Sequence, residues 1–180
     1  MIRYYIDVET TGLDPSLHEI ISIAIIAENS KTGNILGEFD RKIKPMSIGS
    51  AEPKALEVNG YNLEDWKDAV EPSLDIAETI ASLLDHEDCG LWVGHNPYFD
   101  KRFIDAFLRK YGDGSKLDYM PMLDTRQVAM ALFWPELKRF SLSSVRGHMG
   151  LGMDDSHIAI KDAYMCREII HRFDIRAKSR

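Results

Sequence analysis

Apolar positions gather in runs before residue 45 and in stripes after it. Residues 2–8 (Ile-Arg-Tyr-Tyr-Ile-Asp-Val) form a β-branched and aromatic run that predicts a strand. Residues 18–28 are almost wholly apolar and predict a buried central strand. Residues 34–44 alternate loosely after the turn signal Lys31-Thr32-Gly33-Asn34, which predicts a hairpin partner. Three strands joined by short turns imply an antiparallel start to the sheet. The period then changes. Residues 50–58 read as a short helix, and residues 72–86 carry Ile76, Ala77, Ile80, Leu83 and Leu84 as a helical stripe. Residues 90–94 (Gly-Leu-Trp-Val-Gly) predict one more short, buried strand. A helix over 97–110 opens on Pro97, a residue suited to the first helical position. Further helices are expected over 124–134, 141–149 and 158–173. Strands first, then helices around a strand, make an α/β fold with a mixed sheet.

Length and composition narrow the class. With 180 residues the chain suits one domain, taken as 1–180, with a short basic end at about 172–180 where four basic residues face one acid. No apolar run approaches the roughly 20 residues that span a bilayer. A strand that begins at the first residues leaves no leader, so no membrane partner is expected. Cys89 and Cys166 lie far apart and suggest neither a disulfide framework nor a zinc site, which fits a reducing, cytoplasmic setting. The net charge of −7 argues against a broad duplex-binding surface. That objection weakens if several acids hold cations, because a bound cation changes the local sign.

Three segments carry candidate chemistry. In Asp7-Val8-Glu9-Thr10-Thr11-Gly12 two acids end an apolar strand. Side chains two apart on a strand share a face, so both carboxylates point one way and repel unless a positive charge lies between them. Oxygen ligands of this kind suit a hard cation; two solvated acids at a strand end fit the pattern equally well. In Gly94-His95-Asn96-Pro97-Tyr98-Phe99-Asp100 a buried strand gives way to a helix, with Asp100 in the first turn. There the helix dipole favours a carboxylate for structural reasons alone. His95 and Asn96 are placed to cap the helix or to touch a substrate. In the third segment Asp154, Asp155 and Ser156 precede His157 as cap residues, and Asp162 follows inside a helix striped by Ala163, Cys166, Ile169, Ile170 and Phe173. A carboxylate inside a helix, five residues from a histidine, is a candidate ligand with a candidate general base beside it.

The order and spacing of these segments resemble the DEDDh, or DnaQ-like, family of 3′→5′ exonucleases in the ribonuclease H-like superfamily. That family reads Asp-x-Glu-Thr-Thr-Gly, then His-Asn-x-x-Phe-Asp, then His-x4-Asp, and this chain matches all three between about residues 4 and 172. Secondary marks agree: Pro45, Ala55-Leu56-Glu57-Val58-Asn59-Gly60, Leu123-Asp124-Thr125 and Ser141-Leu142. The resemblance implies a ribonuclease H-like mixed sheet flanked by helices. It implies that Asp7, Glu9, Asp100 and Asp162 bind two Mg²⁺ or Mn²⁺ ions, that His157 deprotonates the attacking water, and that 5′-mononucleotides are released. It places Thr10, Thr11, Gly12 and Leu13 around the terminal nucleotide, with Asn96 and Phe99 flanking the same pocket. For Phe99 a core position is an equal reading. Asp124 reads as a helix cap rather than a ligand.

Among relatives of this kind, a stand-alone enzyme acting on single-stranded 3′ ends, DNA ahead of RNA, fits best. A proofreading subunit commonly carries a further polymerase-binding segment. An oligoribonuclease usually has Met-Thr-Gly where this chain has Thr10-Thr11-Gly12, and ribonuclease T-like enzymes use basic patches not located here. A polymerase or a second copy of the chain remains a candidate partner. A non-catalytic binding module is disfavoured because all five catalytic residue types are present. Trp66, Trp92 and Trp134 read as packing, and His18 and His148 show no ligand spacing.

Overall fold

In a computed structural model of the chain, residues 1–84, 90–114, 120–151 and 157–178 are described. Among these residues five strands form one sheet: β1 (Ile2–Thr10), β2 (Ile20–Asn29), β3 (Ile35–Lys42), β4 (Gly90–Gly94) and β5 (Met122–Asp124). Their order is β3-β2-β1-β4-β5. The first three pair antiparallel, whereas β4 runs parallel to both β1 and β5. The expected mixed sheet with an antiparallel start is therefore present. β2 is internal, as its apolar run implies, but the middle strand is β1. A fifth strand, β5, was not expected. Its three residues are only half buried and are too short to show a period.

Among the described residues six helices flank the sheet: α1 (Pro53–Asn59), α2 (Leu74–Leu84), α3 (Pro97–Tyr111), α4 (Thr125–Phe133), α5 (Leu142–His148) and α6 (Ala159–Lys178). Pro53 and Pro97 start α1 and α3 at positions where a missing N–H costs nothing. Ahead of α1, residues Ile48–Ser50 form a single 3₁₀ turn. The hairpin between β2 and β3 closes through Gly33 N–H to Asn29 O at 2.8 Å, with Gly33 at φ 72°. Only glycine takes that conformation cheaply.

Alternation along β1 sets the two cores. Tyr4, Ile6 and Val8 face one layer with Ile80 of α2 and Phe103, Ile104 and Phe107 of α3. Tyr5 faces the other, with Val128 and Leu132 of α4 and Ala163, Cys166, Ile169 and Ile170 of α6. The period of two thus sends Asp7 and Glu9 to the α6 side, past the end of that second core. Glu28 of β2, fully buried, anchors α6 from below. It accepts from Tyr5 Oη at 3.1 Å and Arg167 Nε at 2.5 Å, and lies 2.8 Å from His171 Nε2.

Two expectations for α6 need correcting. The helix runs on to Lys178, where Arg3 pairs with Asp174 at 2.6 Å, and Phe173 is exposed rather than part of the buried stripe. The expected cap residues Asp154, Asp155 and Ser156 lie outside the described residues, as do Cys89, Met153 and the last two residues of the chain. The tryptophans divide. Trp92 is in the core, Trp66 donates to Ile21 O at 2.8 Å, and Trp134 is exposed, contrary to its expected packing role.

Candidate active site

Four acids from three elements meet in one cavity of about 650 Å³. Asp7 and Glu9 enter from β1, Asp100 from α3 and Asp162 from α6, and His157 joins them at the rim. All five are the residues expected from the three motifs. Glu9, His157 and Asp162 each bring a ligand atom within 4.8 Å of the others, a carboxylate-rich set suited to a hard divalent cation.

Each acid is held by its own local structure. Val8 N–H donates to Asp100 Oδ1 at 3.0 Å, which ties the first turn of α3 to β1. Ile158 O accepts from Lys161 and Asp162 N–H, so α6 begins beside the expected residue 158, and Asp162 sits in its first turn. Asp162 Oδ2 accepts from His157 N–H at 3.1 Å. That bond closes a tight loop in which His157 takes a left-handed backbone, φ 65°, and its side chain stands exposed at the cavity mouth. Non-glycine residues adopt this conformation rarely, and chiefly where surrounding structure enforces it.

Burial and mutual repulsion define the electrostatics. Burial pushes Asp7 well above the ordinary carboxylate range, and Asp100, Glu9 and Asp162 push it further. Glu9 is raised to about 8 by burial, then by Asp162 and Asp100. Asp100 is raised to about 8 by burial, against the hydrogen bond from Val8 N–H. Asp162 is raised by burial and held down in part by the His157 N–H and by the charges of His157 and Arg146. Carboxylates arranged this way resist ionisation until a cation arrives.

The expected substrate contacts divide into two groups. Asn96 and Phe99 line the cavity. Phe99 also packs against Phe103, ring centroids 4.9 Å apart, so both of its readings hold. Thr10 and Thr11 are buried with their hydroxyls in use: Thr10 Oγ1 donates to Gly12 O at 2.7 Å, and Thr11 Oγ1 accepts from Glu19 N–H at 2.9 Å. In this state they build the loop. Gly12 is needed there because a Cβ would come within 2.6 Å of the His18 ring, and the loop presents Leu13 with 67% of its surface exposed.

His95 neither caps α3 nor opens to the cavity alone. Its ring bridges Thr125 Oγ1 at 3.0 Å and Phe140 O at 2.8 Å, and burial lowers its pKa. Because the Phe140 carbonyl can only accept, Nε2 carries a proton towards it, while Thr125 Oγ1, which lies against Nδ1, also donates to Gly94 O at 3.1 Å. Asp124 caps α4 as expected, accepting from Arg126 N–H at 2.8 Å, and it also accepts from Asn96 N–H at 3.1 Å. Arg126, Arg139 and Phe140 line the cavity and were not singled out in the sequence. The only signals near them were the Leu123-Asp124-Thr125 cap and the Ser141-Leu142 pair.

Comparison with known proteins agrees with this geometry. A family model described as RNase_T, exonuclease, matches residues 5–170. The PolC-type DNA polymerase III of Thermotoga maritima is 33% identical over 169 residues, 93% of this chain and 11% of that protein. Its counterpart in Streptococcus pyogenes is 31% identical over 175 residues, 96% of this chain and 11% of that protein. The chain thus spans about a tenth of the length of these relatives. Among solved structures, E. coli exonuclease I in complex with a dT13 oligonucleotide superposes with a TM-score of 0.77 at 21% identity, covering 97% of this chain and 41% of that one. The zinc-bound complex of the same enzyme with single-stranded DNA gives 0.75 at 21% identity, with 96% and 40% covered. These structures share the fold.

Proposed function

This chain belongs to the RNase_T exonuclease family, and from that premise we propose that it removes nucleotides one at a time from the 3′ ends of single-stranded DNA. The observation that carries this reading is the convergence of Asp7, Glu9, Asp100 and Asp162 in one cavity beside an exposed His157. The four acids crowd one cavity, where burial and neighbouring carboxylates push Asp7 and Glu9 up, a repulsion that bound cations would relieve. They would hold two Mg²⁺ or Mn²⁺ ions, and such a pair, when bound, steadies the attacking and leaving oxygens of an in-line displacement at phosphorus.

The chain's own residues do the rest. A ring nitrogen of His157 takes the proton from the attacking water as its oxygen bonds to phosphorus. The bond from phosphorus to the 3′-oxygen of the preceding nucleotide breaks, that oxygen takes a proton from solvent to become the new 3′-hydroxyl, and a 5′-mononucleotide leaves. Asp162 fixes His157 through the main chain. Asn96 and Phe99 flank the terminal nucleotide, with Leu13 wedged against its base and the Thr10-Thr11-Gly12 turn shaping the opening. A terminal base must leave its stack to enter, which costs least in a strand already single.

The chemistry is assayed with 5′-labelled DNA and RNA oligonucleotides, alone or annealed, with Mg²⁺ or EDTA. A descending ladder on unblocked single strands, absent in EDTA, is expected. Cleavage of a circular strand, or equal digestion of a 3′-phosphorylated one, would overturn the end-reading site. A second setting, favoured by the PolC-type relatives, is proofreading beside a polymerase. Binding of a polymerase subunit, or faster removal of a mismatched than of a paired 3′ nucleotide, would select it. The setting in either case is cytoplasmic, in one domain over 1–180.

A further inference from the structure

In a chain of net charge −7, the cavity that gathers four acids is also lined by two arginines, Arg126 and Arg139. We infer that Arg126 and Arg139 form a phosphate subsite that grips the strand one phosphate upstream of the scissile bond, an inference that rests on the nuclease reading above. The scissile phosphate itself belongs to the carboxylate side of the cavity, where the cations bind. A second phosphate needs a separate partner, and a guanidinium fork matches its oxygens well.

Both arginines are mounted for this. Arg126 occupies the first turn of α4, and its Nη2 lies 3.3 Å from Asp124 Oδ2 and 3.5 Å from Asn96 Oδ1. Asp124 keeps its main-chain partners Arg126 N–H and Asn96 N–H on the other oxygen, so the guanidinium is steered by a carboxylate already fixed in place. The Arg126 side chain remains 47% exposed and has donors left for a ligand. Arg139 lies on the segment that His95 fastens through Phe140 O. The same ring holds Thr125, the residue before Arg126. One imidazole thus sets both arginines relative to each other, which makes His95 a positioning residue for the subsite.

The test compares two substrates with Mn²⁺ or Mg²⁺: a single-stranded oligonucleotide, and the p-nitrophenyl ester of thymidine 5′-monophosphate, whose one phosphodiester has no phosphate upstream. For Arg126→Gln and Arg139→Gln, KM for the oligonucleotide should rise roughly tenfold each, the worth of one charge-assisted hydrogen bond, with kcat little changed. In the double variant the slope of log KM against log salt should fall by about 1.4, two contacts at about 0.7 each on a single strand. Kinetics on the ester should not move. His95→Ala should raise KM for the oligonucleotide more than KM for the ester. An unchanged oligonucleotide KM and salt slope would overturn the subsite, and so would an equal loss on both substrates, which would put the arginines at the scissile phosphate. If the wild-type chain cleaves neither substrate, the nuclease reading fails first and takes the subsite with it.

Discussion

Val8 and Asp100 are joined by a hydrogen bond of 3.0 Å from a buried main-chain N–H to a carboxylate oxygen, across 92 residues of sequence. One acid of the site is thus also a structural acceptor.

The two roles separate by substitution. Asp100→Asn keeps an acceptor for Val8 and loses the charge, so it should abolish turnover yet melt no lower than the wild type without metal. Asp100→Ala should also abolish turnover, and should lose about 1–3 kcal/mol through the unpaired N–H of Val8. Urea unfolding of both variants in EDTA checks this. Equal stability of the two would mean that the hydrogen bond contributes nothing.

Stability without metal should fall as pH rises. Glu9 and Asp100 titrate near 8 in the folded chain and in the ordinary carboxylate range when unfolded. Between those values the native state binds more protons than the unfolded one, so the unfolding free energy decreases with pH. The stabilising effect of the raised groups is whole below about pH 4 and gone above about pH 8. Metal binding displaces these protons, so the rise in Tm on adding Mg²⁺ should be small at pH 5.5 and large at pH 8.5. Melting curves with Mg²⁺ and with EDTA across this range measure both trends. A metal-induced shift that is independent of pH would contradict the assignment of the ligands.

Replacing His157 by alanine should lower kcat by roughly 10²–10⁴, the usual worth of a general base. The wild-type rate should fall on acidification, and at saturating metal the variant should lose part of this acid limb, the remainder coming from protonation of the ligand acids. Titration calorimetry with Mn²⁺ on the same variant separates a lost base from a lost ligand: affinity should change little. An identical acid limb in both proteins would place the base elsewhere.

The Gly12 loop offers a test of packing. Gly12→Ala would place a methyl group within 2.6 Å of the His18 ring, which is itself held by Asp14 N–H at 3.1 Å. The cost should be about 1–3 kcal/mol, the range for overpacking a tight site. In Gly12→Ala/His18→Ala the clash is gone, so the double variant should be more stable than the sum of the two losses predicts. Strict additivity would mean that the loop yields elsewhere.

How much of this was legible in the sequence depends on the distance over which each signal acts. β1 to β3 and the amphipathic helices announce themselves by period, which is local. The four acids and His157 were legible because their spacing matched a known pattern, and the cavity then gathered them. β5 escaped because three residues show no period and its pairing with β4 is a long-range fact. The left-handed His157 escaped because it goes with one main-chain bond to Asp162. The hydroxyls of Thr10 and Thr11, expected at the substrate, turned out to be bonded within the loop. Only the path of that loop past Glu19 could reveal it. Arg126 and Arg139 carried no signal because arginine on a polar stretch is ordinary.

The wide spread of the four acids along the chain has a further consequence. Asp7 and Glu9 emerge early, but Asp162 lies in the first turn of the last helix, and α6 packs on β1 itself. A fragment that stops short of α6 would therefore hold three of the four acids and leave the fourth ligand position open. Assembly of the ligand set is thus coupled to closure of the fold, because no contiguous stretch of this sequence carries all four acids together.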